Sequence, residues 1–166
     1  MCEQIDPGVV TLTVLRDPIE RTISVLKHFK RGEERFHDLA LEAVYEDRQI
    51  FRFFVENHQT KVFSLTPEDN EQAINCGLTI DEVRFARARR NLARVDVIGL
   101  TEDYDRFVAE VRDRFGWWPG GVDLAERANV STEDWDVAPS FRARIAADNR
   151  YDVELYEYAR ELIRRQ

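Results

Sequence analysis

Residues Val9–Leu15 have the sequence VVTLTVL and are followed at once by Arg16-Asp17-Pro18. The apolar run is rich in β-branched residues, which predicts a strand of a parallel sheet that is covered on both faces. Asp17 is placed to cap a helix, and Pro18 suits the first turn of one. This stretch therefore predicts a buried strand, a sharp polar turn and a helix, in that order.

The remaining sequence contains a second candidate strand, Asp96–Leu100, whose residues DVIGL are mostly apolar. Helical patterns are predicted in five further regions. The first covers residues 33–57, as one helix or as two joined near Glu46-Asp47, and the second runs from Thr66 towards Ile74. The others cover residues 79–94 after a capping box at Thr79–Glu82, residues 102–115 after a cap at Thr101, and Pro139 to Leu162. Strands separated by helices indicate a helix-rich α/β fold, with a partial parallel sheet flanked by helices in a single domain of residues 1–166.

Charge and composition exclude several classes of protein. Of the 166 residues, 24 are Lys or Arg and 32 are Asp or Glu, which gives a formal net charge of -8. A general nucleic-acid binder is therefore not expected, and an anionic ligand must be held by a local cluster. The sequence has no secretion signal, no apolar run long enough for a membrane, and no Cys or His near Cys2 or Cys76 at metal-ligand spacing. We expect a cytoplasmic protein with reduced thiols, and with no metal, membrane or nucleic-acid partner.

The strongest candidate site lies where the first strand ends. Arg16 occupies the carboxyl end of that strand, where ligands bind in open α/β sheets. The following helix is expected to offer free N–H groups and a positive dipole end, and Ser24 can turn its hydroxyl to the same side. Arg16 and Ser24 then form a clamp for one phosphate monoester. In the alternative, Arg16 pairs with Asp17 or Glu20 on the surface and Ser24 is an ordinary helix residue.

The run Thr11–Phe29, TLTVLRDPIERTISVLKHF, resembles the 3′-phosphate-binding segment of sulfotransferases that use 3′-phosphoadenosine 5′-phosphosulfate. It is similar in particular to the glycosaminoglycan 2-O-sulfotransferase and related bacterial branch. Further blocks of the family pattern follow in order at Asn57–Thr60, Ala88–Leu92, Val97–Tyr104 and Asn129–Ser131, and then at Asn149, Asp152, Leu155 and Tyr156. The resemblance covers nearly the whole chain from Val9 onward.

This resemblance implies a P-loop NTPase-like fold and transfer of a sulfuryl group from the donor nucleotide to a hydroxyl of a carbohydrate or small molecule. Arg16 and Ser24 match the pair that binds the 3′-phosphate of the donor. Arg127 falls near the loop that closes over the nucleotide. The block expected on the acceptor side contains Asn57, His58 and Gln59.

Two parts of the family pattern have no counterpart here. The family has a strand and a phosphate-cradling loop with a Lys before the Arg-Asp-Pro turn, but the residues that precede Arg16 contain no Lys, no Arg and no Gly-rich loop. The His base of the related 2-O-sulfotransferases belongs to the same stretch, so the catalytic residue is unassigned. His28 roughly shares a helix face with Ser24 and is one candidate base, while a cation near the C-terminal end of that helix is the alternative role.

Three explanations of this gap remain open. The chain is a fragment or mis-called start of a longer enzyme, another chain supplies the missing strand, or the protein is a reduced relative that no longer catalyses. The alternative function is accordingly a non-catalytic nucleotide-binding or protein-interaction module derived from a sulfotransferase. An exposed sheet edge and the pair Trp117-Trp118 would join its partner, which includes a second copy of the chain.

Overall fold

A computed structural model describes residues 8–69, 78–117 and 136–165 of the chain, and its sheet consists of two parallel strands. Strand β1 is Leu12–Leu15 and strand β2 is Val97–Leu100. Their register runs from Leu12 opposite Val97 to Leu15 opposite Leu100. Both predicted strands are confirmed, although each is shorter than its apolar run. The described residues form a helix-rich α/β fold.

The helices are α1 Pro18–Gly32, α2 Leu41–Tyr45, α3 Arg48–Ile50, α4 His58–Ser64, α5 Glu82–Leu92, α6 Tyr104–Phe115, α7 Pro139–Asp148 and α8 Arg150–Arg165. Two 3₁₀ turns, Glu34–Phe36 and Thr101–Asp103, and one π-helical turn, Phe51–Val55, lie between them.

The region predicted as one or two helices over residues 33–57 is divided into short pieces. Its break near Glu46-Asp47 is confirmed, because the Asp47 carboxylate accepts hydrogen bonds from the N–H groups of Gln49 and Ile50 and so begins α3. A single long helix is wrong. A side chain that caps a new helix ends the previous one, because the capping residue itself leaves the helical conformation.

Other predicted boundaries shift for similar reasons. Helix α5 is capped by Asp81, which accepts from the N–H of Arg84, and not by Thr79. The final helical stretch from Pro139 is confirmed, but it consists of two helices, since the chain turns at Asn149 between α7 and α8. Thr66 and Asp69 exchange side-chain hydrogen bonds as a helix start would, but the predicted continuation to Ile74 lies outside the described residues.

Helix α6 covers one face of β2 at unusually close range. An ideal Cβ built on Gly99 would lie 2.5 Å from ring atoms of Phe107, a distance that real Cβ atoms do not reach. Only glycine therefore permits this approach of helix to strand. The other face of β2 carries Ile98 into a cluster with Leu15, Leu92 and Leu155, which joins β1, α5 and α8.

The prediction that β1 is covered on both faces is wrong. Leu15 is buried, whereas 37% of Leu12 and 39% of Val14 is exposed. Val14 lies opposite Gly99 in the register, so its side chain shares the face that α6 covers on β2. Because α6 packs over β2, that face of β1 stays open to solvent.

A second apolar cluster surrounds α1 and includes Ile23, Leu26, Val44, Tyr45 and Ile145. Leu15 at the end of β1 belongs to the first cluster. The polar turn between β1 and α1 therefore joins the two cores, and each core holds one side of it in place.

Candidate functional site

The turn at Asp17 begins α1 as the sequence predicts. Asp17 Oδ1 accepts hydrogen bonds from the N–H groups of Ile19 and Glu20, both at 3.0 Å. The N–H of Arg21 is bonded to the Asp17 carbonyl at 2.8 Å, and Pro18 has no N–H. The expectation of free N–H groups at this helix start is thus wrong, because the cap uses them. An anion here must be held by side chains.

Arg16 is half-buried at the carboxyl end of β1. Within residues 8–69, 78–117 and 136–165, its guanidinium takes part in no hydrogen bond or ion pair. The alternative of a surface pair with Asp17 or Glu20 is not what the structure shows, because Asp17 caps α1 and Glu20 pairs with Arg142. The donors of the Arg16 guanidinium are therefore unused within the described residues.

Arg21 adds a second guanidinium beside Arg16. Burial lowers the pKa of Arg21, the charge of Asp152 opposes this, and the charge of Arg16 lowers it further. Arg21 Nη1 donates to the Phe54 carbonyl at 2.8 Å. Half-buried Ser24 follows Arg21 by one helical turn, so the two share a face of α1. The spacing of three residues between Arg21 and Ser24 indicated in the sequence that both lie on one face of α1.

His58 lies half-buried close to this positive group. Its Nδ1 is 3.1 Å from the Phe53 carbonyl, and since a carbonyl only accepts, Nδ1 carries the proton. Burial, followed by the charge of Arg21, lowers the pKa of His58 to about 4. The imidazole is therefore neutral at pH 7. Its predicted place on the acceptor side stays a prediction.

Gln59 contacts the backbone of Arg16 through both atoms of its side-chain amide. The Arg16 N–H donates to Gln59 Oε1 at 3.1 Å, and Gln59 Nε2 donates to the Arg16 carbonyl at 3.0 Å. The structure thus brings together two residues that the sequence predicts for separate roles, one for the nucleotide and one for the acceptor. The predicted acceptor role of Gln59 stays a prediction beside this observed internal contact.

Asn57 is buried, and its amide is used inside the protein. Asn57 Oδ1 accepts from the N–H groups of Tyr151 and Asp152 at the start of α8. Its own N–H donates to Asn149 Oδ1 at 2.8 Å. The backbone of Asn57 is left-handed, with φ at 45°, which asparagine tolerates better than most residues. These contacts join α4 to α8, and a part in acceptor binding remains a prediction.

The other side of the turn is held by Glu102 and Thr101. Glu102 Oε1 accepts from the Asp17 N–H at 3.0 Å, and Oε2 accepts from the Tyr156 hydroxyl at 3.0 Å. Thr101 Oγ1 donates to the Leu15 carbonyl at 3.1 Å. The predicted cap at Thr101 is wrong, since its hydroxyl faces β1 and α6 begins only at Tyr104.

Two further side chains that could serve as a base or a cation, His28 and Lys61, lie in the described part of the chain. His28 is exposed on α1. Arg127 and Cys76 lie outside the described residues. The Lys61 amino group is buried and donates to the Arg52 carbonyl at 2.8 Å, so it fastens the π-helical turn instead of facing a ligand.

The described residues contain neither a membrane-spanning helix nor a metal-binding cluster. No helix there has the length and apolar character needed to cross a membrane. In the same part of the chain, no group of three or more His, Cys, Asp or Glu side chains is arranged to hold a metal ion.

Comparison with known proteins supports a distant relationship to the sulfotransferases. The chain is 29% identical over 183 aligned residues to heparan-sulfate 6-O-sulfotransferase 2 of Danio rerio. The match covers 91% of this chain and 37% of the relative, so the chain spans little more than a third of that protein's length. No family model matches the chain. No solved structure matches it significantly. The expected likeness to the 2-O and bacterial branch stays a prediction.

Proposed function

We propose that this chain is a sulfotransferase-type domain in which Arg16 and Ser24 bind the 3′-phosphate of 3′-phosphoadenosine 5′-phosphosulfate. One observation carries the proposal: the guanidinium of Arg16, at the end of a parallel strand, has no partner within the described residues. Arg21 lies near enough to repel Arg16, and a bound phosphate dianion offsets that repulsion. Arginine suits this task because its planar fork matches phosphate oxygens.

The chemistry expected of the complete site is transfer of a sulfuryl group to a hydroxyl. By analogy with phosphoryl transfer, this needs an in-line arrangement, cationic stabilisation of the leaving phosphate and a base near the acceptor. In this proposal the described residues supply the 3′-phosphate anchor alone, and no catalytic base is assigned. A P-loop NTPase-like fold, Arg127 over the nucleotide and a cytoplasmic location belong to the same proposal.

The acceptor is proposed to be a carbohydrate hydroxyl, with a small-molecule hydroxyl as the broader class. Support comes from the matched relative, whose name specifies heparan sulfate and the 6-O position. In this proposal Asn57, His58 and Gln59 lie towards the acceptor side, where Nε2 of neutral His58 accepts a hydrogen bond without adding charge.

Calorimetric titration with 3′-phosphoadenosine 5′-phosphate tests the anchor. We expect binding by the native protein and a loss of about tenfold to a hundredfold in affinity for Arg16→Ala, because hydrogen bonds to charged groups are worth about 1.5–3 kcal/mol. Ser24→Ala should lose less. Adenosine 5′-phosphate, which lacks the 3′-phosphate, should bind equally to all three proteins. Arg48→Ala, which removes an exposed arginine of α3, is the matched control.

The proposal is overturned if the native protein does not bind 3′-phosphoadenosine 5′-phosphate, or if Arg16→Ala binds as well as native. An equal loss in Arg48→Ala would also contradict it, since net charge alone would then explain the effect.

The alternative, a non-catalytic interaction module, is favoured by one observation. Leu12 and Val14 expose apolar side chains along β1, and Trp117 is 52% exposed. The predicted partner residue Trp118 lies outside the described residues. Light scattering separates the cases: a concentration-dependent dimer that Val14→Thr disrupts favours the module, and a strict monomer contradicts self-association through this edge.

A further inference from the structure

The side chain of Gln59 lies at the carboxyl end of β1, along the edge of that strand which faces away from β2. Strand β2 takes the opposite edge, where Val97 donates to the Thr11 carbonyl and Thr101 donates to the Leu15 carbonyl. Alternate residues of a strand direct their N–H and C=O groups to opposite edges, so those of Arg16 point away from β2. Gln59 bonds both of them at 3.0–3.1 Å, as a residue of a neighbouring strand would.

Gln59 is itself fixed by a buried carboxylate. The N–H groups of Gln59 and Thr60 donate to the two oxygens of Asp152, at 3.1 Å and 2.7 Å. Only 2% of Asp152 is exposed. The N–H of Asp152 is bonded in turn to Asn57 Oδ1. A shift of Gln59 would break these buried hydrogen bonds, so its amide is a rigid support.

The position of Arg16 depends on that support. The Arg16 guanidinium has no hydrogen-bond or ion-pair partner within the described part of the protein, so the position of the Arg16 backbone sets the point from which the side chain extends. Gln59 holds this backbone from one side, and Glu102 holds the next residue, Asp17, from the other. A ligand group held in advance at the right place loses less freedom on binding, which raises affinity.

We propose that Gln59 is a positioning residue that presents Arg16 to the 3′-phosphate, an inference that rests on the proposed function. Gln59 acts through the backbone and does not contact the nucleotide. Its effect is therefore restricted to ligands that carry a 3′-phosphate.

Gln59→Glu replaces the amide by a carboxyl group, so the hydrogen bond to the Arg16 carbonyl depends on whether that group is protonated. An ionised carboxylate still accepts from the Arg16 N–H but cannot donate to the Arg16 carbonyl, which it repels. A protonated carboxyl group restores the donor. We expect affinity for 3′-phosphoadenosine 5′-phosphate to fall about tenfold at pH 7.5 and to recover in part as the pH is lowered to 4, just below the ordinary pKa of a Glu side chain of about 4.3. Each value is taken relative to the native protein at the same pH, since the phosphate itself titrates near pH 6.

Two further variants complete the design. Gln59→Met keeps the length of the side chain without charge, and should lose about tenfold in affinity at both pH values. It carries the test alone if Gln59→Glu does not fold at pH 7.5. The matched control is Gln49→Glu, which places the same charge on an exposed residue of α3 and should bind like native. Circular dichroism and thermal melting establish that each variant is folded.

The outcomes separate the two proposals. Failure of the native protein to bind, or unchanged binding in Arg16→Ala, overturns the proposed function and this inference together. Loss in Arg16→Ala with native-like binding in folded Gln59→Glu and Gln59→Met overturns the inference alone. A loss in Gln59→Glu that shows no recovery at pH 4, or that extends equally to adenosine 5′-phosphate, also overturns it, because the effect would then be general damage to the site.

Discussion

Asn57 and Asp152 each cap the helix that begins beside the other. The side-chain oxygen of Asn57 accepts from the first turn of α8, at Tyr151 and Asp152. The carboxylate of Asp152 accepts from the first turn of α4, at Gln59 and Thr60. Helix starts leave N–H groups without internal partners, and here each helix satisfies those of the other. This exchange joins two segments that are 95 residues apart in sequence.

Asn57 should contribute to stability in two ways, through its side-chain acceptor and through its tolerance of a left-handed backbone at φ 45°. Two substitutions separate these contributions. Asn57→Gly keeps the backbone accessible but removes the acceptor, which should reduce the free energy of unfolding by about 1–3 kcal/mol. Asn57→Ala adds the cost of a left-handed Cβ, roughly 1–2 kcal/mol more. Urea denaturation measures both. Equal stability of the two variants would contradict the left-handed strain.

Glu102 should stabilise the turn between β1 and α1. Glu102→Ala removes the acceptor for both the Asp17 N–H and the Tyr156 hydroxyl, and we expect a loss of about 1 kcal/mol in the free energy of unfolding. Tyr156→Phe breaks one of these bonds and should lose less. Glu154→Ala, at an exposed position of α8, is the control and should be close to neutral. An equal loss in Glu154→Ala would show that the turn contacts contribute nothing of their own.

Gly99→Ala should push α6 away from β2. The new Cβ would lie 2.5 Å from Phe107, and overpacking of this kind typically destabilises by about 1–3 kcal/mol. The double variant Gly99→Ala/Phe107→Ala should show a coupling that recovers part of the Gly99→Ala loss. Gly32→Ala serves as the control, because no atom lies within 4 Å of its added Cβ. Strictly additive losses in the double variant would contradict a steric clash between these two residues.

His58 should make stability depend on pH in mildly acidic solution. Its pKa is about 4 in the folded protein against 6.5 without perturbation, so the unfolded chain binds the proton first as the pH falls. The contribution of neutral His58 to the free energy of unfolding is fully present above pH 6.5 and is lost as the pH falls towards 4. The loss is at most about 3 kcal/mol, given partial solvent screening.

His58→Asn keeps a donor for the Phe53 carbonyl and removes the titrating ring, so its stability should lack this slope. Denaturant melts from pH 4 to 7 provide the measurement. Asp152, whose pKa is raised by burial, gives a slope of opposite sign, so the difference between native and variant is the relevant quantity. His37→Asn, at an exposed site, should keep the native slope. Parallel pH profiles of native protein and His58→Asn would refute the assignment.

The sequence predicted the features of this chain that depend on residues close together in sequence, and it missed those that depend on distant contacts. The two strands follow from β-branched apolar runs, and the start of α1 follows from Asp17 and Pro18, which act within three residues of themselves. The break at Asp47 has the same kind of cause. By contrast, the open face of β1 depends on where α6 packs, and neither apolar pattern nor propensity encodes that.

The same distinction between local and distant causes applies to the candidate site. The sequence by itself determined the strand, the polar turn, the helix and its Asp17 cap, and so placed Arg16 at the carboxyl end of a parallel strand and Ser24 in the helix that follows. Only the tertiary structure decided that Arg21 stands beside Arg16, and that Gln59, 43 residues away, holds the Arg16 backbone. The physical reason is that capping acts over one turn of chain, whereas a polar group finds its distant partner only when packing of the two cores brings them within hydrogen-bond distance.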